Sequence, residues 1–395
     1  MGEERIETAI IGAGPAGLAT AAVLKARGIP ATILERSDHV AASWRKHYDR
    51  LHLHTVRWLS NLPGYRFSTR HGRWVSRDGV IRYLEGYARH HRLDVRTGVE
   101  VRGLEREDGG WRLDTSSGAV HARFVVVATG YNHTPVLPDW PGRDGFAGEL
   151  IHGQDYRNPE PYRGRDVLVV GAGNTGAEIA VDLVEGGAAR VRMAIRTPPH
   201  ISLREVNGMP GQVTGLLLRR LPLSVADAIA AGAAKLNVGD LSEYGIGKPP
   251  RGLVTRAVKD DVIPILDVGL IDMLKRGRVE VVTAVTGFDG PDVLLADGSR
   301  IRPDAVIACA GYARGLEPLV GQLGILGHKG RPVVHGGRTH PNAPNLYFIG
   351  YTNPISGMFR EFGIVARKIA RAIARERAAG SWAPPAEEPA ERAAA

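Results

Sequence analysis

Two short stretches of the chain have the residue types and spacing that cradle a pyrophosphate. "GAGPAG" (12–17) and "GAGNTG" (171–176) both read G-x-G-x-x-G, and each follows a short apolar run, "TAII" at 8–11 and "DVLVV" at 166–170. In a strand, turn and helix of this kind the first glycine (Gly12, Gly171) makes the tight turn. The second (Gly14, Gly173) lets the backbone approach the phosphates, and the third (Gly17, Gly176) lets the helix lie close on its strand. Pro15 and Ala16 in one copy, Asn174 and Thr175 in the other, begin helices whose N-termini face the phosphates.

The two copies end differently. After the first, "PATILERS" reaches Glu35, 18 residues beyond Gly17 and followed by Arg36, where a carboxylate accepts hydrogen bonds from ribose hydroxyls. After the second, "RVRMAI" ends at Arg196, 20 residues beyond Gly176 and next to Thr197. A carboxylate there repels a 2′-phosphate, whereas a guanidinium grips it with two hydrogen bonds. The first site therefore fits the ribose of FAD, and the second prefers NADPH to NADH. Two such dinucleotides facing each other make a hydride path, with the flavin performing the hard chemistry.

The elements that must position these residues are repeated as well. "FVVVATGY" (124–131), with Thr129 and Gly130, has its counterpart in "AVIACAGY" (305–312), with Ala310 and Gly311. The leading glycines lie 159 positions apart and the trailing ones 181, so the second unit carries 22 extra residues. An insertion of that size belongs in a loop region, and "LLLRRLPLSVADAIAAGAAKLNVG" (216–239) is the expected place, as a lid over the substrate. The expected fold is α/β: two Rossmann-like dinucleotide-binding domains in a glutathione-reductase-like duplicated architecture. Residues 1–160 form the first part of an FAD domain and 161–315 an NADPH domain with a helical insertion around 203–250. Residues 316–378 return to the FAD domain with a last buried strand, "NLYFIGY", and a terminal helix, "MFREFGIVARKIARAIAR"; 379–395 form a disordered tail.

Composition narrows the class. A chain of 395 residues with 43% hydrophobic and 24% charged residues reads as a globular protein of more than one domain. No signal peptide and no apolar run long enough for a membrane span is legible, which points to the cytoplasm. The net charge of +9 comes from arginines scattered over both halves, so it suits anionic cofactors rather than nucleic acid. The single cysteine, Cys309, excludes the redox-active pair that a disulfide reductase of this architecture needs, leaving oxygen or another electron carrier as acceptor. A reductase passing electrons to a partner protein has the same fingerprints. The histidine pairs His52/His54 and His90/His91 lack the acids or cysteines of a coordination shell, so no metal is expected.

The chain resembles a known family. "FAGELIHGQDY" (146–156) matches the FxGxxxHxxxY pattern that precedes the NADPH fingerprint in class B flavin-containing monooxygenases, ending in Tyr156 rather than in the Trp typical of Baeyer–Villiger enzymes. The likeness is nearest to the YUCCA branch, the indole-3-pyruvate monooxygenases, through "YDRLHLH" (48–54), "YLEGYARHH" (83–91), "RTPPH" (196–200), "LPLSVADAI" (221–229), "IPILDVG" (263–269) and "NLYFIGYTN" (345–353). It departs from that branch in the stretch after "LHLH", which reads "TVRWLSNLPGY", and in the charged Arg360 and Glu361 of "ISGMFREFG". The resemblance implies that NADPH reduces FAD, that NADP⁺ stays bound, and that oxygen forms a flavin hydroperoxide. That species oxygenates a small organic substrate, most directly by decarboxylating an aryl α-keto acid, or else by N- or S-oxygenation or Baeyer–Villiger oxidation. It also implies that Trp44, Arg45, Val99 and Gly350 border the flavin, and that His152 holds the interdomain linker. The start of the terminal helix faces the flavin, and Trp58, Tyr65 and Arg360 line the substrate pocket. No catalytic side chain is assigned, and the partners are the substrate and oxygen, in a monomer or homodimer.

Overall fold

The structure, a computed structural model, describes residues 4–380. The tail expected over 379–395 lies outside it from residue 381 onward.

The chain opens with β1 (Glu4–Ile11), which enters the first glycine turn and α1 (Pro15–Lys25). Thr8, Ala9 and Ile10 are fully buried, because a central strand covered on both faces reads as a continuous apolar run rather than an alternation. β2 (Thr32–Glu35) follows, then a short α2 (Ala42–Arg45) and α3 (Arg77–His90), the last capped by the Ser76 hydroxyl accepting from the Gly79 N–H at 3.2 Å. β3 (Asp94–Thr97), β4 (Val101–Glu107), β5 (Gly110–Thr115) and β6 (Gly118–Val127) complete the first run. They assemble in the order β3-β2-β1-β6-β5-β4, parallel from β3 to β6 and antiparallel beyond. The chain leaves β1 toward β2 on one side and meets β6 on the other, which opens a crevice at the carboxyl end of β1.

The second sheet repeats this grammar. β7 (Glu149–His152), β8 (Asp166–Val170), α4 (Asn174–Glu185) and β9 (Arg190–Ala194) come first. Three helices follow, α5 (Gly211–Leu218) and α6 (Leu223–Asn237) within the region expected for the insertion and α7 (Leu253–Lys259) just beyond it. β10 (Ile265–Asp267), β11 (Val279–Val282) and β12 (Ala305–Ala308) close the unit. The five-stranded sheet has the order β11-β9-β8-β12-β7 and is parallel throughout. β7 pairs with β12 from Glu149↔Ala305 to His152↔Ala308, so a strand from the segment expected in the first domain belongs to the second sheet.

β13 (Leu346–Phe348) then returns to the first sheet beside β6, and α8 (Met358–Ala379) lies along α1, with Leu18, Ala22, Ile369 and Ile373 in one core. Val167, Val169, Ile179 and Leu183 belong to a second core. Among the described residues no helix is long and apolar enough to cross a membrane.

Candidate active site

The two glycine turns have nearly the same geometry. Gly12 and Gly171 take φ of +108° and +118°, and a Cβ on Gly17 or Gly176 would come within 2.0 Å or 2.1 Å of the Gly12 or Gly171 carbonyl oxygen. Only glycine permits that contact of helix and turn. Gly14 and Gly173 are different, because a Cβ there meets no protein atom within 4 Å. What a side chain at these positions obstructs is the approach of something from outside the chain, which is how a pyrophosphate cradle should behave. Glu35 is buried at the end of β2, where Ala13 N–H (2.7 Å), Ser37 N–H (3.0 Å) and the Ser37 hydroxyl (2.9 Å) donate to its carboxylate. Those three bonds fix its orientation and leave part of its acceptor capacity for a ribose.

One cavity of about 1180 Å³ runs from the first glycine turn to the inserted helices. Of the expected flavin residues, Gly12, Gly14, Pro15, Ala16, Glu35, Arg36, Trp44, Arg45, Val99, Thr129, Gly130 and Gly350 all line it, while Gly17 packs beneath the turn. Such a volume exceeds the roughly 300–1,000 Å³ of a site for one small molecule. Its far end is formed by Gln212, Gly215, Leu218, Ala234, Val238 and Leu253 from the insertion, facing Ile355 and Phe359 beside the start of α8. Every residue that α5, α6 and α7 contribute is uncharged. Gln212 fastens the inserted helices to the first half: its side-chain oxygen accepts from Val56 N–H at 3.0 Å and its amide donates to the Ser356 carbonyl at 2.5 Å.

The second fingerprint opens elsewhere. Of its residues only Asn174 lines the large cavity; Gly171, Gly173, Thr175, Gly176, Arg196, Thr197, Ala310 and Gly311 do not. Asn174 also spends its side chain on β10, accepting from Leu266 N–H (2.7 Å) and donating to the Pro264 carbonyl (3.2 Å), so toward a ligand it offers mainly backbone. Arg45 reaches the cavity while ion-paired with Glu85 of α3.

Three residues expected in the substrate pocket do not line the large cavity. Trp58 is 46% exposed beneath the Arg73 guanidinium, and Tyr65 stacks on Tyr83. Arg360 faces a separate cleft with Arg66 and Arg367, because Phe359 and Phe362 take the cavity face of α8 and the helical period turns position 360 away. His152 has both ring nitrogens engaged: Nε2–H donates to the Gly311 carbonyl (3.1 Å) and Nδ1 accepts from Gln154 N–H (3.0 Å). Burial lowers its pKa, and its work is to tie β7 to the end of β12.

The seam between the halves carries groups that no motif announces. α4 presents Glu178, Asp182 and Glu185, one helical face at i, i+4 and i+7, to the segment 48–54. His54 Nε2 lies 2.6 Å from Glu178, Arg50 pairs with Asp182 (3.2 Å) and Glu185 (2.8 Å), and the Tyr156 hydroxyl donates to Asp182 (2.7 Å). Burial raises the Asp182 carboxyl above its ordinary pKa, against the Tyr156 hydroxyl and Arg50. Burial, with the Glu178 charge beside it, pushes the Tyr48 hydroxyl well up. The signal was three acids at i, i+4 and i+7 on one face of a helix otherwise built of small and apolar residues.

A cavity at the first glycine turn, beside a second turn of the same geometry, fits the two-dinucleotide arrangement of a flavin oxidoreductase, the class to which flavin monooxygenases belong. The comparisons with known proteins agree. A family model described as pyridine nucleotide-disulphide oxidoreductase matches residues 9–207. Indole-3-pyruvate monooxygenase YUCCA1 of Oryza sativa subsp. japonica is 36% identical over 361 residues, covering 89% of each chain. Probable indole-3-pyruvate monooxygenase YUCCA9 of Arabidopsis thaliana is 34% identical over 354 residues, 87% of this chain and 83% of its own. Among solved structures, a flavin-containing monooxygenase from Stenotrophomonas maltophilia shares the fold with a TM-score of 0.73 at 23% identity, covering 95% of this chain and 99% of its own. OTEMO, solved with FAD and NADP, has a TM-score of 0.72 at 18% identity and covers 96% and 86%. The chain belongs to the YUCCA family of flavin monooxygenases.

Proposed function

We propose that the protein is an NADPH- and oxygen-dependent monooxygenase that holds FAD at the first glycine turn and NADPH at the second, and that it decarboxylates an aryl α-keto acid, indole-3-pyruvate first. The observation that carries this is the single cavity, which joins the Gly12–Gly17 turn to an apolar end under the inserted helices. Bound FAD supplies hydride acceptance and oxygen activation; the chain's own residues bind, orient and exclude water. Gly14 and Glu35 fix the flavin nucleotide, Gly173 and Arg196 the NADPH phosphates, and the lid held by Gln212 keeps the reacting end dry. The repeated turn geometry supports a duplicated, glutathione-reductase-like architecture. In it the FAD domain comprises residues up to about 148 together with 316–378, and the NADPH domain begins at β7.

The uncharged lining of the lid favours a second reading, oxygenation of a neutral sulfide, amine or ketone. A panel of indole-3-pyruvate, thioanisole, a tertiary amine and a cyclic ketone, with NADPH loss and product mass followed together, separates the two. Indole-3-acetate with carbon dioxide is the expected product. Hydrogen peroxide alone from keto acids, with one oxygen atom gained by a sulfide or ketone, overturns the first reading.

A further inference from the structure

We propose that the Glu178–His54 pair sets the registry between the two halves, so that both residues are positioning residues for hydride transfer; this rests on the two-cofactor reading above. Glu178 lies one helical turn beyond Asn174, where α4 leaves the second glycine turn, and His54 belongs to the wall of the flavin cavity. Their 2.6 Å contact therefore joins the cradle of one dinucleotide to the cavity of the other. The side chains are 5% and 20% exposed, and an apolar pair of similar volume would serve stability as well or better. What the polar pair adds is a fixed distance and direction. His54 Nδ1 and Glu178 Oε1 are both buried and neither makes a hydrogen bond, so the 2.6 Å approach of Nε2 to this carboxylate is the polar contact that ties the ring to α4. Further along the same face Arg50 holds Asp182 and Glu185, with the Tyr156 hydroxyl orienting Asp182, so α4 cannot slide along segment 48–54 without breaking the His54 and Arg50 contacts. Registry matters here because misplacing reacting groups by about 1 Å lowers rates by about a hundredfold.

The test uses the full FAD-loaded chain and the variants Glu178→Gln, His54→Gln and the double apolar replacement Glu178→Leu/His54→Met. Without oxygen, bleaching of the flavin at saturating NADPH should slow by up to about a hundredfold in each single variant, while bleaching by dithionite, which needs no alignment, keeps its rate. Equilibrium dialysis should find weaker binding of NADP⁺ but unchanged binding of adenosine 2′,5′-bisphosphate, which lacks the nicotinamide. The double variant should recover the melting temperature lost in the single variants, yet not the NADPH rate. Wild-type bleaching by NADPH in either single variant, recovery of both properties in the double, or equal slowing with dithionite overturns the proposal. A wild-type flavin that NADPH does not bleach overturns the two-cofactor reading itself, and is recognised before any variant is made.

Discussion

At the scale of single residues, the glycines of one fingerprint should fail in different ways. Gly14→Val adds a Cβ that meets no protein atom within 4 Å, so it should leave the fold melting normally and abolish FAD retention, read as flavin absorbance per chain. Gly17→Ala drives a methyl group to 2.0 Å from a backbone oxygen and should lower the melting temperature whether or not flavin is added. The reverse pattern would remove the cradle assignment. Arg196 is exposed, and no ion pair among the described residues claims it. Its replacement by Ala should raise KM for NADPH roughly 10- to 150-fold, the equivalent of about 1.5–3 kcal/mol for a charge-assisted contact, with NADH little affected. Equal effects on both cofactors would exclude the 2′-phosphate role. These residues were legible because their chemistry is local to a turn or a strand end. Trp58, Tyr65 and Arg360 were not, because being near the flavin in sequence does not decide which way a side chain faces.

Among the elements, the insertion was countable from the spacing of the repeats, but its inner face was not readable. α6 is apolar on both sides: Ala230, Ala234 and Val238 at its end line the cavity, while Val225, Ile229 and Leu236 are exposed. A periodicity argument needs a polar face to subtract, and this helix lacks one. Gln212 decides how α5 seats on the first half. Gln212→Leu removes both of its bonds and leaves the Val56 N–H without its partner, at a cost of about 1–3 kcal/mol. The variant should keep its flavin, melt a few degrees lower, and divert NADPH consumption from product to hydrogen peroxide. Unchanged coupling, measured as product formed per NADPH, would show that the lid needs no such fastening.

For the whole molecule, stability should weaken in mild acid. Burial, aided by Arg157 and Arg77, lowers His47 to about 4, and burial with Arg331 and Lys368 does the same for His335. Between pH 6.5 and 4 the unfolded chain binds protons that the folded one refuses, so stability falls as pH falls, by roughly 1.4 kcal/mol per pH unit for each histidine. His47→Gln should flatten that slope in urea titrations across the window, and an unaltered slope would show that His47 is not its source. The interleaving of the two sheets bears on how the chain comes to be folded during synthesis. β7 through β12 supply a complete parallel sheet by residue 308, whereas the first sheet, begun at residue 4, waits for β13 at 346–348 and for α8 to cover α1. Domains generally fold as units, so a sheet whose last strand and covering helix come late is completed late. The half made first is then the half finished last, and until α8 arrives it carries the exposed apolar face of α1 that a chaperone would recognise.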